Sequence, residues 1–320
     1  MNKYTRIVLQ LLITVGVFVF LFTKFQLNLL STLASINLWW LLLVIVLRFV
    51  VAALIYINRW KLFLSYFSIE ESFWSLLVIS LKSAFLGVAL PSSQGADMAR
   101  MYFIERRHHG ASLDSTASST VLIERGVGVI LFSFLGLIAA LFCDFPKRGM
   151  VLMFMLAINV VLWLAILVLT NWLCYRFAMH HLSKMRFLRR VAEFVSKTYH
   201  SLLRFPYRRL IGSSLVLLLL FQVNTVLILY CIFLAFGVNQ IPLVQHFAFY
   251  PVIGMLAAIP ISISGLGVRE GFFVYFYSLV GVVAGTAVSI SLVNYFVEIL
   301  LPAILGGLVF LLDMLRPKRS

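Results

Sequence analysis

Apolar residues run along this chain in long unbroken stretches rather than in alternation. A membrane-crossing helix needs about 20 mainly apolar residues. Nine stretches approach or reach that length: 7–22, 38–57, 73–90, 121–142, 150–173, 211–236, 247–261, 271–292 and 293–312. A membrane β-barrel would show short segments of alternating polarity, so these runs predict helices. The polar intervals predict orientation, because short cytoplasmic loops concentrate Lys and Arg. The interval 174–209 carries nine basic residues (Arg176, Lys184, Arg186, Arg189, Arg190, Lys197, Arg204, Arg208, Arg209) against the single acid Glu193. It is expected to be cytoplasmic, either as an amphipathic surface helix on anionic lipid or as a solvated loop. Lys3 and Arg6, Arg59 and Lys61, the trio Arg100, Arg106 and Arg107, and the terminal Arg316, Lys318 and Arg319 point to the same side.

One stretch conflicts with single crossings throughout. If 58–72 and 100–109 are both cytoplasmic, 73–90 must enter and return as a re-entrant hairpin. Such backbone is tolerated where protein or a water-filled cavity surrounds it. The alternative is nine crossings with one terminus outside. The expectation is a single all-α polytopic membrane domain over residues 1–320. It has about eight transmembrane helices, one or two re-entrant or broken segments and a pseudo-repeat, with both termini cytoplasmic in an inner membrane.

Composition strengthens this picture: 62% of the 320 residues are hydrophobic and 12% charged, where soluble domains are about half apolar and a quarter charged. The net charge of +15 lies between apolar runs, so membrane lipid rather than nucleic acid is the expected partner. Cys143, Cys174 and Cys231 show no paired spacing, hence no disulfide framework or zinc site. Lys3 and Arg6 precede the first apolar run, but no small-x-small cleavage site follows Phe22, so it reads as a retained span.

The informative residues are polar ones inside apolar stretches, where charge is costly and marks function by default. They fall mainly in two segments. The first, Ala89–Arg100, reads ALPSSQGADMAR: Pro91 and Gly95 break a helix, and Asp97 and Arg100 follow three apart on one helical face. The second, Ile259–Gly271, reads IPISISGLGVREG, with Pro260, Gly265 and Gly267 before Arg269 and Glu270. In both, the Arg follows the Pro by nine residues. Paired interruptions in corresponding halves point to a transport site; the bland alternatives are an ordinary loop with a local ion pair and close glycine packing. Glu124 and Arg125 open a later run, Asn294 and Glu298 lie four apart, and Arg48 and Lys82 sit inside apolar stretches. A polar cavity lined by these groups is expected, with a purely structural network as the alternative for Arg48 and Glu298. His108 and His109 join a basic face rather than a metal site, and no Walker A, H-E-x-x-H or nucleophile-elbow motif occurs.

The stretches Gly95–Arg100, Glu124–Val129 (ERGVGV) and 260–271 together resemble the flippase-like family of the lysylphosphatidylglycerol synthase transmembrane region. That family shows a Gly-Gly-Asp-x-x-Arg stretch, here with Ala96 in place of a Gly. It shows an acidic-Arg pair, here Glu124 and Arg125 with Gly128. It also shows Gly-Gly-x-Gly-x-Arg-Glu, here with Ser264 in place of a Gly. The resemblance implies a cavity handling phospholipids or lipid-linked sugars. In that role Arg100, Arg125 and Arg269 would hold phosphate, Asp97, Glu124 and Glu270 would position them, and the Pro and Gly breaks would act as hinges. Family members fused to an aminoacyl-transferase domain make lysyl-lipid; no such domain follows here, so a translocase without cofactor or metal is expected rather than a synthase. Two alternatives stay open: a membrane enzyme of lipid or cell-envelope glycan synthesis, and a scaffold partner in such synthesis.

Overall fold

The computed structural model describes residues 36–66, 69–89, 95–108, 116–171, 175–176, 179, 212–259 and 265–315. The first apolar run, Pro91, Pro260, His109, nearly all of 174–209 and the terminal basic residues lie outside them. Among the described residues the long elements are all helices. α1 covers Leu38–Val46, a π-turn at Leu47–Ala52 and Ala53–Ser65. α2 is Phe73–Ala89, α3 Gly95–His108, α4 Thr116–Phe142 and α5 Arg148–Thr170. α6 is Ser213–Ala235, α7 Leu243–Ala257 and α8 Val268–Ser278. α9 covers Ala284–Tyr295, a π-turn at Phe296–Leu300 and Leu301–Leu315.

Five of these helices are long and apolar enough to cross a membrane: Leu38–Ser65, Ile123–Phe142, Arg148–Ala165, Leu215–Ala235 and Ala284–Asp313. Their outer faces carry large bare apolar side chains, such as Met153, Val161 and Leu164 on α5. That surface suits lipid and would be an aggregation liability in water. α2 and α7 are apolar but shorter, at 17 and 15 residues.

The short helices form two hairpins. In the first, the α2 and α3 ends nearest their connection touch closely: a Cβ on Gly87 would sit 2.6 Å from the Ala96 nitrogen. At the far ends, Arg107 donates to the Ser75 hydroxyl at 2.7 Å and His108 bonds Glu71 at 2.9 Å. The two helices are therefore antiparallel. The hairpin expected within 73–90 is not formed there: 73–89 is one continuous helix, and the return limb is α3, whose residues 100–108 were expected in a cytoplasmic loop. In the second hairpin, Gly265 (φ +76°) packs on the Ala257 carbonyl near the connection, and His246 bonds the Tyr277 hydroxyl at 2.9 Å near the open end.

The packing relates two halves, α1 to α4 and α6 to α9. α1 and α6 run antiparallel: Asn37 N donates to Ala235 O at 2.9 Å, while Tyr66 bonds Ser214 at the other end. α7 of the second half packs on α4, with Phe132 against Tyr250 and Gln245 reaching the Asp144 carbonyl. α2 of the first half packs on α9, where Gly306 lies under the Leu81 carbonyl and Lys82 binds Asp313. Each hairpin thus leans on the long helix that follows the other, and the two hairpins are rooted at opposite ends of the bundle.

Two boundaries differ from the sequence expectation. The run 271–312 divides at the Ser278–Gly281 turn, where Gly281 takes φ +86°, and then continues as one helix through residue 293. Residues 58–65 extend α1 rather than forming a loop. Continuous apolarity, which carries no boundary signal, hid the first, and the charges of Arg59 and Lys61 disguised the second as a loop.

Candidate functional site

Among the described residues, three charged networks gather most of the sequence-predicted site residues. The first joins the first hairpin to α1 and α4. Glu124 is the second residue of the candidate span of α4, and its carboxylate receives two arginines. Arg59 of α1 donates through Nε and Nη2 to Oε1 at 2.8 and 2.5 Å. Arg100 of α3 donates through Nη2 to Oε2 at 2.6 Å. Arg100 also donates to the Tyr56 hydroxyl and lies 4.2 Å over the Trp60 ring. Asp97 joins Arg100 and Arg125, each at 3.6 Å. Arg59, Arg100 and Glu124 are all buried, whereas the Arg125 side chain is 57% exposed. Three guanidinium groups against two carboxylates leave one positive charge in excess. Arg100 Nε is buried without an acceptor.

The second network opens α8. Gly267, at φ +82°, caps the helix in a conformation that disfavours side chains, and its N–H donates to Glu270 Oε2 at 2.6 Å. Glu270 Oε1 receives Arg269 at 2.6 Å and the Ser291 hydroxyl of α9 at 3.0 Å. Arg269 Nε donates to Ser291 at 3.2 Å, and its guanidinium lies 4.5 Å over Tyr295. This network is neutral and internally bonded.

The third surrounds the two π-turns. Tyr250 donates to Glu298 Oε2 at 2.8 Å, and Asn294 donates to Tyr250 at 3.0 Å. Arg48 reaches the Glu298 main-chain carbonyl at 3.0 Å rather than its carboxylate.

The sequence-predicted residues are therefore distributed. Asp97, Arg100, Glu124 and Arg125 meet in one place; Arg269 and Glu270 form a second; Arg48, Asn294 and Glu298 a third. Gly95 opens α3, and Gly265 and Gly267 open the approach to α8. Lys82 lies apart, paired with Asp313 on the wall of a cavity of about 680 Å³ between α2, α3 and α9, together with Trp74, Ser75 and Arg107. Sequence reasoning missed Arg59, Tyr56, Ser291 and Tyr250. Arg59 was read as a loop charge; α1 runs eight residues beyond its last strongly apolar stretch and carries it inside. Among the described residues, no group of three or more His, Cys, Asp or Glu is arranged to hold a metal ion.

A family model described as the lysylphosphatidylglycerol synthase transmembrane region matches residues 7–306. The chain belongs to this family. It is also similar to a UPF0104 membrane protein of Pyrococcus horikoshii, 23% identical over 325 residues, covering 88% of this chain and 94% of that relative. Within this member of the family, Asp97, Arg100 and Glu124 close one network around the first hairpin, and Arg269 and Glu270 cap the second.

Proposed function

We propose that this protein is a flippase-like translocase of the inner membrane, carrying an anionic phospholipid or a lipid-linked saccharide between leaflets. The observation that carries the reading is the arginine cluster at α1, α3 and α4, with the buried, unsatisfied Arg100 Nε and an excess positive charge that sits on the exposed Arg125. A buried cation without a full set of acceptors is costly; a phosphate oxygen supplies the missing acceptor in a charge-assisted bond. Arg125, exposed beside it, is the first contact. The second hairpin, rooted at the opposite end of the bundle, carries Arg269, which would meet a phosphate from the other leaflet once its pairing with Glu270 opens. The open cavity at Lys82 and Arg107 gives a lipid head a lateral approach. A protein partner in envelope synthesis fits the same surface role.

The test is movement of fluorescent anionic phospholipid between leaflets of proteoliposomes. A charge-assisted hydrogen bond contributes about 1.5–3 kcal/mol, so Arg100→Ala is expected to slow movement by about tenfold or more. Arg269→Ala and Asp97→Asn are expected to slow it as well, while all three variants still insert. Unchanged movement by inserted Arg100→Ala would sink the assignment.

A further inference from the structure

Glu298 differs from four other carboxylates of the bundle. Glu124, Glu270 and Asp97 each meet an arginine, and Asp313 meets Lys82. Among the described residues, no basic side chain pairs with the Glu298 carboxylate. Its partners are neutral donors: the Tyr250 hydroxyl at 2.8 Å and Asn294 Nδ2 at 3.5 Å, both to Oε2. Yet Glu298 lies within the apolar segment Ala284–Asp313, where an ionised carboxylate is expensive.

The surrounding groups are not satisfied as they stand. Asn294 Oδ1 is buried and lacks a donor; Arg48 Nε is buried and lacks an acceptor. Both residues touch Glu298, Asn294 at its carboxylate and Arg48 at its main-chain carbonyl. A protonated Glu298 supplies a donor of the kind Asn294 Oδ1 lacks, and an ionised Glu298 supplies the acceptor that Arg48 lacks. The two protonation states thus favour different bonding partners.

The backbone there is irregular as well. Arg48 and Glu298 each lie on a π-turn, the local helix distortion that concentrates at functional positions. Each turn has a carbonyl tied by a side chain of another helix: Arg48 to Glu298 O at 3.0 Å, Asn224 to Leu47 O at 3.4 Å.

We infer that Glu298 is an exchangeable-proton site, with Tyr250, Asn294 and Arg48 as the groups that hold its two states. One proton from water joins the carboxylate on uptake and returns to water on release; no other bond changes. Arg269 and Glu270 of α8 neutralise each other, and Lys82 of α2 is engaged by Asp313. A metal cation fits poorly because the Arg48 guanidinium already touches the Glu298 main chain. The site itself does not depend on lipid translocation. Its use as a coupling site rests on that proposed function, with the proton gradient as the energy source.

The experiment has two arms on the full-length protein in lipid. Infrared difference spectra across a pH titration should show a protonated-carboxyl band that disappears in Glu298→Gln and shifts in frequency in Tyr250→Phe. In proteoliposomes, fluorescent-lipid movement should respond to an imposed pH gradient in wild type and lose that response in Glu298→Gln. A carboxyl band unchanged by Glu298→Gln overturns the site, as does a band that follows Na⁺ at constant pH. A retained gradient response in Glu298→Gln overturns the coupling. If the band behaves as expected but wild type moves no lipid, the proton site stands and the lipid reading fails.

Discussion

Glu124 is where most of the buried charge converges, with Arg59 on one carboxylate oxygen and Arg100 on the other. Removing one member of a buried ion pair strands the remaining charge and costs about 3–5 kcal/mol. Glu124→Gln is isosteric, so any loss reports charge rather than volume. It should destabilise the protein by an amount near that range, read as a lowered unfolding temperature in detergent. A fall no larger than that of an exposed-site variant such as Arg125→Gln would contradict the role assigned to Glu124. Asp97, Arg100 and Glu124 were legible in the sequence because charge inside apolar stretches is rare enough to stand out. Arg59 was not, because a charge after an apolar run looks the same whether the helix stops or continues. Ser291 and Tyr250 were illegible for a different reason: hydroxyl side chains are common in membrane helices, and only the fold brings them to Glu270 and Glu298.

The helices meet through glycines at the places where the hairpins dock. A Cβ on Gly306 would collide with the Leu81 carbonyl, a backbone atom that cannot rotate aside. Ala normally gains about 1 kcal/mol over Gly in a helix, but overpacking costs about 1–3 kcal/mol, and a clash with backbone belongs at the upper end. Gly306→Ala is therefore expected to destabilise. At Gly126 of α4 an added Cβ meets nothing within 4 Å, so Gly126→Ala should be neutral or stabilising by up to about 1 kcal/mol. Thermal unfolding of the two variants in the same detergent decides this; equal effects would contradict the packing described for α2 and α9. At this scale the sequence announced the interruptions around 91–100 and 260–271 but not the π-turns, whose extra residue leaves no mark in an apolar run. It also placed a helix boundary at 292, inside continuous α9, because uniform hydropathy hid the turn at Gly281.

Taken whole, the bundle has two halves whose leading helices, α1 and α6, are antiparallel, and whose hairpins open at opposite ends. That relation follows from contacts at both ends of α1. In a membrane the two open ends should face opposite sides. In a cysteine-free background, Ser72→Cys and Ser278→Cys should then react with an impermeant maleimide from opposite faces of oriented vesicles. Labelling of both from one face would contradict the arrangement. The charge pattern of the sequence implied a turn-back near 73–90 but put both limbs inside that run, whereas the return limb is α3, because basic residues at 100–108 look the same in a loop and in a helix; the second hairpin has no such flanks, and its antiparallel form emerged only from the His246–Tyr277 and Gly265–Ala257 contacts.

The central claim is that a phosphate-bearing lipid head occupies the arginine cluster of α1, α3 and α4. Photo-crosslinking measures this most directly: an anionic phospholipid with a photoreactive head group is activated in proteoliposomes, and the adducts are mapped by mass spectrometry. Adducts are expected on α3 and the start of α4 near Arg100 and Arg125, and are expected to be lost in Arg100→Ala. Adducts confined to the lipid-facing row of α5, unchanged in that variant, would contradict it.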